Sequence, residues 1–105
     1  MKSSPLLLFA FVLLLRAAPA MALNANELAV IVNTADPASV ETASYYKLRR
    51  GIPDGNIIEV SFPHDRGALS REEFERVHEE VVRKLPAHVR ALALAWTRPW
   101  RAGCM

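Results

Sequence analysis

The chain has 105 residues, a formal net charge of +2 and a single cysteine. This length allows one small domain, near the size at which a single hydrophobic core gives only marginal stability. One cysteine excludes an internal disulfide. The thirteen basic and eleven acidic residues form no basic cluster, so the sequence does not predict a nucleic-acid-binding protein.

The first twenty-two residues have the three parts of a secretory signal peptide. Lys2 provides the positive charge, an apolar run of eleven residues follows at 5–15, and AMA at 20–22 offers the small residues of a cleavage site. We predict cleavage after Ala22, with cleavage after Ala20 as the alternative, and export to the periplasm or the cell exterior. A membrane anchor is the other interpretation, but Arg16 ends the run well short of the roughly 20 apolar residues that span a bilayer.

The remaining chain, residues 23–105, carries eleven basic and eleven acidic residues and is formally neutral. We expect it to form a single α/β domain with no membrane association after cleavage. Its composition does not identify a partner, which stays unknown apart from the exclusion of nucleic acid and membrane.

Residues 27–34, ELAVIVNT, form an apolar run rich in β-branched residues, which is typical of a strand buried on both faces. Asp36 and Pro37 then indicate a helix start, because aspartate caps free amides and proline suits the first helical position. The helix is predicted to end near Arg50. Gly51 favours a left-handed terminator, and the proline two residues later cannot continue a helix.

Residues 56–62, NIIEVSF, predict a second strand, bounded by an Asp-Gly pair before it and Pro63 after it. Ser70 and Glu73 form a capping box that opens a second helix. The apolar residues of this helix recur at helical spacing and are predicted to face the core: Phe74, Val77, Val81 and Leu85. A third strand is predicted over 89–96.

The order β-α-β-α-β with short links predicts an α/β fold in which a parallel sheet lies between helices in three layers. Two helices cannot cover both faces of three strands, so we expect the apolar run 91–96 to stay partly exposed. We therefore interpret the chain as the first half of a larger domain, Rossmann-like in its order of elements. Purified chain is expected to bind a hydrophobic dye, to show poor amide-exchange protection, or to self-associate through an open sheet edge.

Ligands of open parallel sheets bind outside the carboxyl ends of the strands, and this rule selects three loops. The first two loops contain Asn33, Thr34 and Asp36, then Ser61, His64 and Asp65. We interpret the polar residues of the first loop as turn formers and a helix cap. His64 is a candidate catalytic base, with an ordinary surface histidine as the alternative.

The third loop combines indole and guanidinium groups. Arg98, Trp100 and Arg101 are candidate ligand-binding residues, because such groups suit a carboxylate, a phosphate or a sugar face. The alternative is structural: Trp96 caps the core and Trp100 packs under a loop.

Cys104 is a candidate nucleophile, provided that a base or a helix N-terminus lowers its pKa. Otherwise it pairs with another chain, stays a free thiol, or belongs to a protein whose remainder is missing. His78 and His88 are expected to be solvated. The sequence has neither a zinc-binding spacing nor a Gly-x-Gly-x-x-Gly loop, so it predicts no metal and no cofactor.

Several short motifs carry a resemblance to a known family: VIVN followed by DPAS, the tyrosine pair at 45–46, RGIP at 50–53 and the closing ALAWTRPWRAGCM. Over nearly all of residues 23–105, the chain resembles the amino-terminal part of a family of exported bacterial proteins of unknown function. Chains of that family continue beyond the cysteine-methionine pair. The resemblance therefore implies that this sequence is a fragment.

A fainter resemblance is to the caspase-like cysteine peptidases of the legumain and gingipain type, which share the strand, helix, GIP-like turn and strand. Those enzymes carry a histidine after the third strand and a cysteine after the fourth. Here Thr97 and Arg98 follow the third strand, and Cys104 comes too early. The resemblance implies that this chain is the first half of a larger, caspase-like domain, but it does not imply the activity.

The sequence thus predicts an exported α/β protein without an assignable activity. Two alternatives remain open: a ligand-binding module that uses the loop after the third strand, and part of a cysteine-dependent hydrolase that uses His64 and Cys104.

Overall fold

The computed structural model describes residues 22–103. Strands β1 (Leu28–Asn33), β2 (Ile57–Val60) and β4 (Ala91–Leu94) form a parallel sheet in the order β2-β1-β4. Helices α1 (Pro37–Arg50) and α2 (Arg71–Lys84) alternate with these strands. The predicted α/β fold is confirmed.

Two sequence predictions fall outside this part of the chain. The proposed signal peptide covers the undescribed residues 1–21 and only Ala22 of the described ones, and Cys104 lies beyond the last described residue. Between residues 22 and 103, neither helix has the length and apolar character needed to cross a bilayer.

The sheet is the middle of three layers, and β1 is its central strand. Ala29 and Ile31 of β1 pack on the side of α2, together with Val77. Val30 and Val32 pack on the side of α1. From β1 the chain moves outward to β2, and from β2 it returns past β1 to β4. Right-handed connections in these opposite directions place the two helices on opposite faces.

Strand β4 is an edge strand with an alternating pattern of half-buried and exposed residues. Leu92 and Leu94 pair in register with Ala29 and Ile31 of β1, so their side chains point to the face that α2 covers. On that face, helix α2 packs over β2, at the opposite edge of the sheet. Both leucines therefore remain exposed. The expected partial exposure of this run is observed.

Both predicted helix starts are observed. The Asp36 carboxylate accepts a hydrogen bond from the Ala38 amide at 3.0 Å, and Pro37 is the first helical residue. Helix α1 ends at Gly51, whose φ of 65° lies in the left-handed region that glycine adopts without strain.

The capping box of α2 is complete. Ser70 Oγ accepts from the Glu73 amide at 3.2 Å, and the Glu73 carboxylate accepts from the Ser70 amide at 2.9 Å. Arg66 donates to the same carboxylate at 2.7 Å. The Arg66 guanidinium, with the Ser70 amide, holds the pKa of Glu73 below its ordinary value.

Replacing Ser70 with alanine should lower the free energy of unfolding by about 1 kcal/mol, because the Glu73 amide loses its acceptor. Urea unfolding measures this change. Ser44→Ala, at an exposed position inside α1, is the matched control and should change the free energy of unfolding by no more than about 0.5 kcal/mol. Equal shifts for both variants would show that the cap contributes nothing specific.

A second, smaller sheet was not predicted. Strands β3 (Ala68–Leu69) and β5 (Arg101–Ala102) pair in parallel at the start of α2. The Trp100 amide donates to the Gly67 carbonyl at 3.1 Å, which extends this pairing. Two-residue strands are too short to leave a periodic signal in the sequence.

Asn33 ends β1 and joins it to β2 through its side chain. Its Nδ2 donates to the Phe62 carbonyl at 3.0 Å, and its Oδ1 accepts from the Phe62 amide at 3.1 Å. The same oxygen accepts from the Ala35 amide at 3.2 Å. A fully buried amide group thus continues the β1–β2 pairing past the end of both strands.

Asn56 performs the corresponding task at the amino end of the sheet. Its Nδ2 donates to the carbonyls of Asn26 and Leu28, at 2.8 and 3.0 Å. Its Oδ1 lies 3.2 Å from Nε2 of His88, in the turn before β4. One buried asparagine therefore ties together the starts of all three strands.

Candidate functional site

The loops after β1 and β4 diverge at the carboxyl edge of the sheet. The loop after β1 leads to α1 on one face. The segment after β4 leads to β5, which pairs with β3 next to the start of α2 on the other face. Such a divergence between neighbouring parallel strands opens a crevice, the usual ligand position in open α/β sheets.

A cavity of about 140 Å³ occupies this divergence, and we call it the carboxyl-edge crevice. The first turns of α1 form one wall, and the end of β4 with the following loop forms the other. Its lining residues are Asp36, Ala38, Ser39, Thr42, Leu94, Ala95, Trp96 and Thr97. At about 30 Å³ per water molecule, it has room for four or five waters. It is therefore sized for one end of a small ligand.

Asp36 links the crevice to the loop after β2. Its side chain is largely buried, and its Oδ1 lies 3.9 Å from Nδ1 of the half-exposed His64. This separation is longer than a hydrogen bond but within ion-pair range if the imidazole is protonated. The structure therefore brings together residues from two of the three loops that the sequence selected.

The structural interpretation of the first loop is observed in full. Asn33 is a buried turn former, and the Asp36 side chain is a helix cap. The Thr34 hydroxyl donates to the Val60 carbonyl at 3.1 Å. In the second loop, Ser61 and Asp65 are exposed and lie outside the crevice lining.

The two tryptophans of the third loop separate. Trp96 packs edge-on against Phe62, with ring centroids 4.9 Å apart, and its Nε1 donates to the Pro99 carbonyl at 3.1 Å. This agrees with the interpretation of Trp96 as a cap on the core. Trp100 is mostly exposed, and its indole edge lies against Gly67.

The three candidate ligand-binding residues do not line the crevice. The Arg101 guanidinium lies over the Trp100 ring, 5.1 Å from its centroid, next to strand β3. Arg98 is exposed and follows Thr97, the last crevice residue in the chain. A site built from Arg98, Trp100 and Arg101 stays a prediction, at a place separate from the crevice.

The remaining histidines lie away from the carboxyl edge. His78 stacks on Phe74 with centroids 5.8 Å apart, and His88 contacts Asn56. Among residues 22–103, no group of three histidine, cysteine, aspartate or glutamate side chains converges in a way that could hold a metal ion.

Sequence reasoning missed two hydroxyl-bearing residues of the crevice lining, one of which, Ser39, is buried with its Oγ accepting from the Asn33 amide at 2.9 Å. Ser39 and Thr42 follow Asp36 at intervals of three residues, and this spacing places all three on one side of α1. The spacing is visible in the sequence. Its meaning depends on knowing that β4 lies next to β1, which the sequence does not reveal.

A larger cavity of about 380 Å³ runs between α1 and β2. Lys47 forms an ion pair with Asp54 at its rim, and this contact lowers the pKa of Asp54. Val32, Ala43 and Ile57 are among its lining residues. It lies along the edge strand β2 rather than at the divergence of the loops.

Comparison with known proteins adds no further constraint, since no family model, curated protein or solved structure matches the chain.

Proposed function

We propose that this chain is an exported ligand-binding module that holds a small, neutral, hydroxylated ligand, such as one edge of a sugar ring, in the carboxyl-edge crevice. Export rests on the signal-like sequence of residues 1–22. The binding role rests on one observation: residues that carry a carboxylate and hydroxyl groups line a cavity at the divergence of two parallel-strand loops.

The lining chemistry favours a neutral ligand over an anion. The Asp36 carboxylate already accepts from the first free amide of α1 and places a negative charge at the crevice. Among residues 22–103, no lysine or arginine lines it. An incoming phosphate or carboxylate would be repelled, whereas a sugar hydroxyl could donate to Asp36 and bond to Thr42 and Thr97.

The size of the crevice agrees with partial engagement of a ligand. Pockets that enclose a whole drug-sized ligand measure about 300–1,000 Å³, and this one measures about 140 Å³. Binding of a single ring edge would be weak. We expect dissociation constants in the millimolar range, typical of a few hydrogen bonds on a small contact area.

Titration of the protein with neutral monosaccharides, followed by amide NMR shifts, tests the proposal. The shifts should concentrate at the crevice residues Ala38, Thr42 and Thr97. Asp36→Asn keeps a capping side chain but removes the charge, and it should weaken binding about tenfold. Arg101→Ala, outside the crevice, is the control and should leave binding unchanged.

Two results would contradict this assignment. Shifts caused by inorganic phosphate or acetate, and abolished by Arg101→Ala, would favour the loop of Arg98, Trp100 and Arg101 instead. No shift at crevice amides with any monosaccharide at about 100 mM would exclude binding even at the weak end of the expected range.

The hydrolase alternative stays a prediction. The proximity of Asp36 to His64 would suit a histidine oriented by a carboxylate. Its nucleophile would have to be Cys104, which lies outside the described residues.

A further inference from the structure

The two outer edges of the sheet are protected differently. At the β2 edge, Lys84 Nζ donates to the Glu59 carbonyl at 2.7 Å, so a side chain occupies a main-chain acceptor. Glu59 also adds a charge to that strand. Natural proteins use such charged side chains to prevent edge-to-edge pairing. At the other edge, β4 and the residue after it read ALALA, without a charge or a proline.

Beside β4 lies an exposed apolar surface, which we call the β4 patch: Leu92, Leu94, Phe74 and Val82. Leu92 and Leu94 are 46% and 60% exposed, on the sheet face shared with α2. Phe74 and Val82, on α2, are 45% and 57% exposed.

Both parts of the patch lie on the same face of the sheet. The opposite flank of α2 faces β2, because Lys84 bonds to Glu59, and Arg76 and Glu80 line a cavity with Ser61. The flank with Phe74 and Val82 therefore turns toward β4. We call the space between the exposed face of β4 and this flank of α2 the notch; the exposed His78, which stacks on Phe74, lies on the same flank.

We propose that a second copy of this chain occupies the notch, with its β4 antiparallel to the first about a two-fold axis at Ala93. The two sheets then form one continuous six-stranded sheet. The proposal does not rest on ligand binding at the carboxyl edge, although Leu94 belongs to both the β4 patch and the crevice lining.

The axis position follows from the strand itself. Opposite residues of an antiparallel pair point to the same face of the sheet. The leucines of β4 point to one face and its alanines to the other, so Leu92 lies opposite a leucine of the partner strand and not opposite an alanine. Ala93 is the centre of the uncharged run 91–95. An axis there sets Leu92 opposite the partner's Leu94, and Leu94 opposite the partner's Leu92. Four leucines then form one cluster between the two α2 helices, which is the self-complementary contact that a two-fold axis requires.

The exposed area agrees with a dimer of ordinary size. With about 150–200 Å² for each fully exposed side chain of this kind, the patch offers roughly 350 Å² of apolar surface per copy. A standard interface buries about 800 Å² per partner, somewhat over half of it apolar. The patch thus supplies most of the apolar share.

Sedimentation velocity of the full chain under reducing conditions tests the proposal, since a reductant excludes a disulfide through Cys104. We expect twice the monomer mass of 11.7 kDa, less any cleaved signal peptide. Leu94→Lys should weaken dimerisation about 30-fold or more by placing like charges close to the axis. Leu48→Lys, at a leucine on α1 that is 83% exposed, is the matched control and should remain dimeric.

A cross-linking variant tests the register directly. Ala93→Cys in a Cys104→Ser background places two cysteines opposite each other at the axis, within the Cα separation that a disulfide allows. It should oxidise to a covalent dimer, whereas Leu48→Cys in the same background should not. A monomeric chain at about 100 µM, equal loss of dimer in both lysine variants, or no disulfide at Ala93→Cys would each overturn the proposal.

Discussion

Replacing Phe62 with alanine is expected to lower the free energy of unfolding by about 4 kcal/mol, the largest effect of any variant considered. Phe62 is almost completely buried in the core on the α2 side of the sheet, and its ring meets Trp96 edge-on. Removal of a buried phenylalanine costs about 3–5 kcal/mol, through lost transfer energy and the cavity left behind. The contact with Trp96 argues against a value at the low end of that range.

A graded series separates packing from general loss of structure. Phe62→Leu should cost about 1.5 kcal/mol, because most of the volume is kept. Tyr45→Ala removes an aromatic ring from α1 at a largely exposed position and should change stability by no more than about 0.5 kcal/mol. Urea unfolding of the three variants gives these values. A loss below about 1 kcal/mol for Phe62→Ala would mean that the ring is not packed as described.

Replacing Asn33 with alanine should lower the free energy of unfolding by about 3 kcal/mol. The substitution removes three side-chain hydrogen bonds and leaves both main-chain groups of Phe62 without those partners. A buried polar group that loses its partner costs about 1–3 kcal/mol. We expect two of the three groups, the Phe62 amide, the Phe62 carbonyl and the Ala35 amide, to stay unsatisfied and one to reach water.

Asn26→Ala is the matched control, since Asn26 is exposed in the turn before β1. Its removal should change stability by less than about 0.5 kcal/mol. Asn33→Asp should cost at least as much as alanine near neutral pH, because its carboxylate would be fully buried and would set an oxygen against the Phe62 carbonyl. If alanine and aspartate at position 33 unfold at the same urea concentration as the original chain, the side-chain bridge is not a stabilising element.

Local sequence signals predicted the elements of the main sheet well because each signal has a direct steric or hydrogen-bonding cause. Pro37 and Gly51 bound α1, and Ser70 with Glu73 opens α2, all as expected. The observed strands are shorter than the apolar runs that predicted them. Strand β4 covers 91–94, whereas the predicted strand covered 89–96. Apolar composition reports burial, and Trp96 is packed against the core without belonging to a strand.

The site was predictable only in its general place. Strand order decides which loops become neighbours. That order depends on contacts between residues that are far apart in the chain, which local sequence patterns do not show. Asp36 and His64 were selected separately, and only the fold places them 3.9 Å apart. Conversely, Trp100 and Arg101 follow β4 in the sequence but do not lie at the crevice. The pairing of β5 with β3 places Arg101 opposite Ala68, away from the crevice.

The bonds of Asn56 also decide the tautomer of His88. Because the Asn56 Nδ2 donates to two main-chain carbonyls, its Oδ1 is the atom that faces the imidazole. An oxygen can only accept, so Nε2 of His88 must carry the hydrogen. The contact that ties the turn before β4 to the starts of β1 and β2 therefore runs from a ring N–H of His88 to a buried amide oxygen.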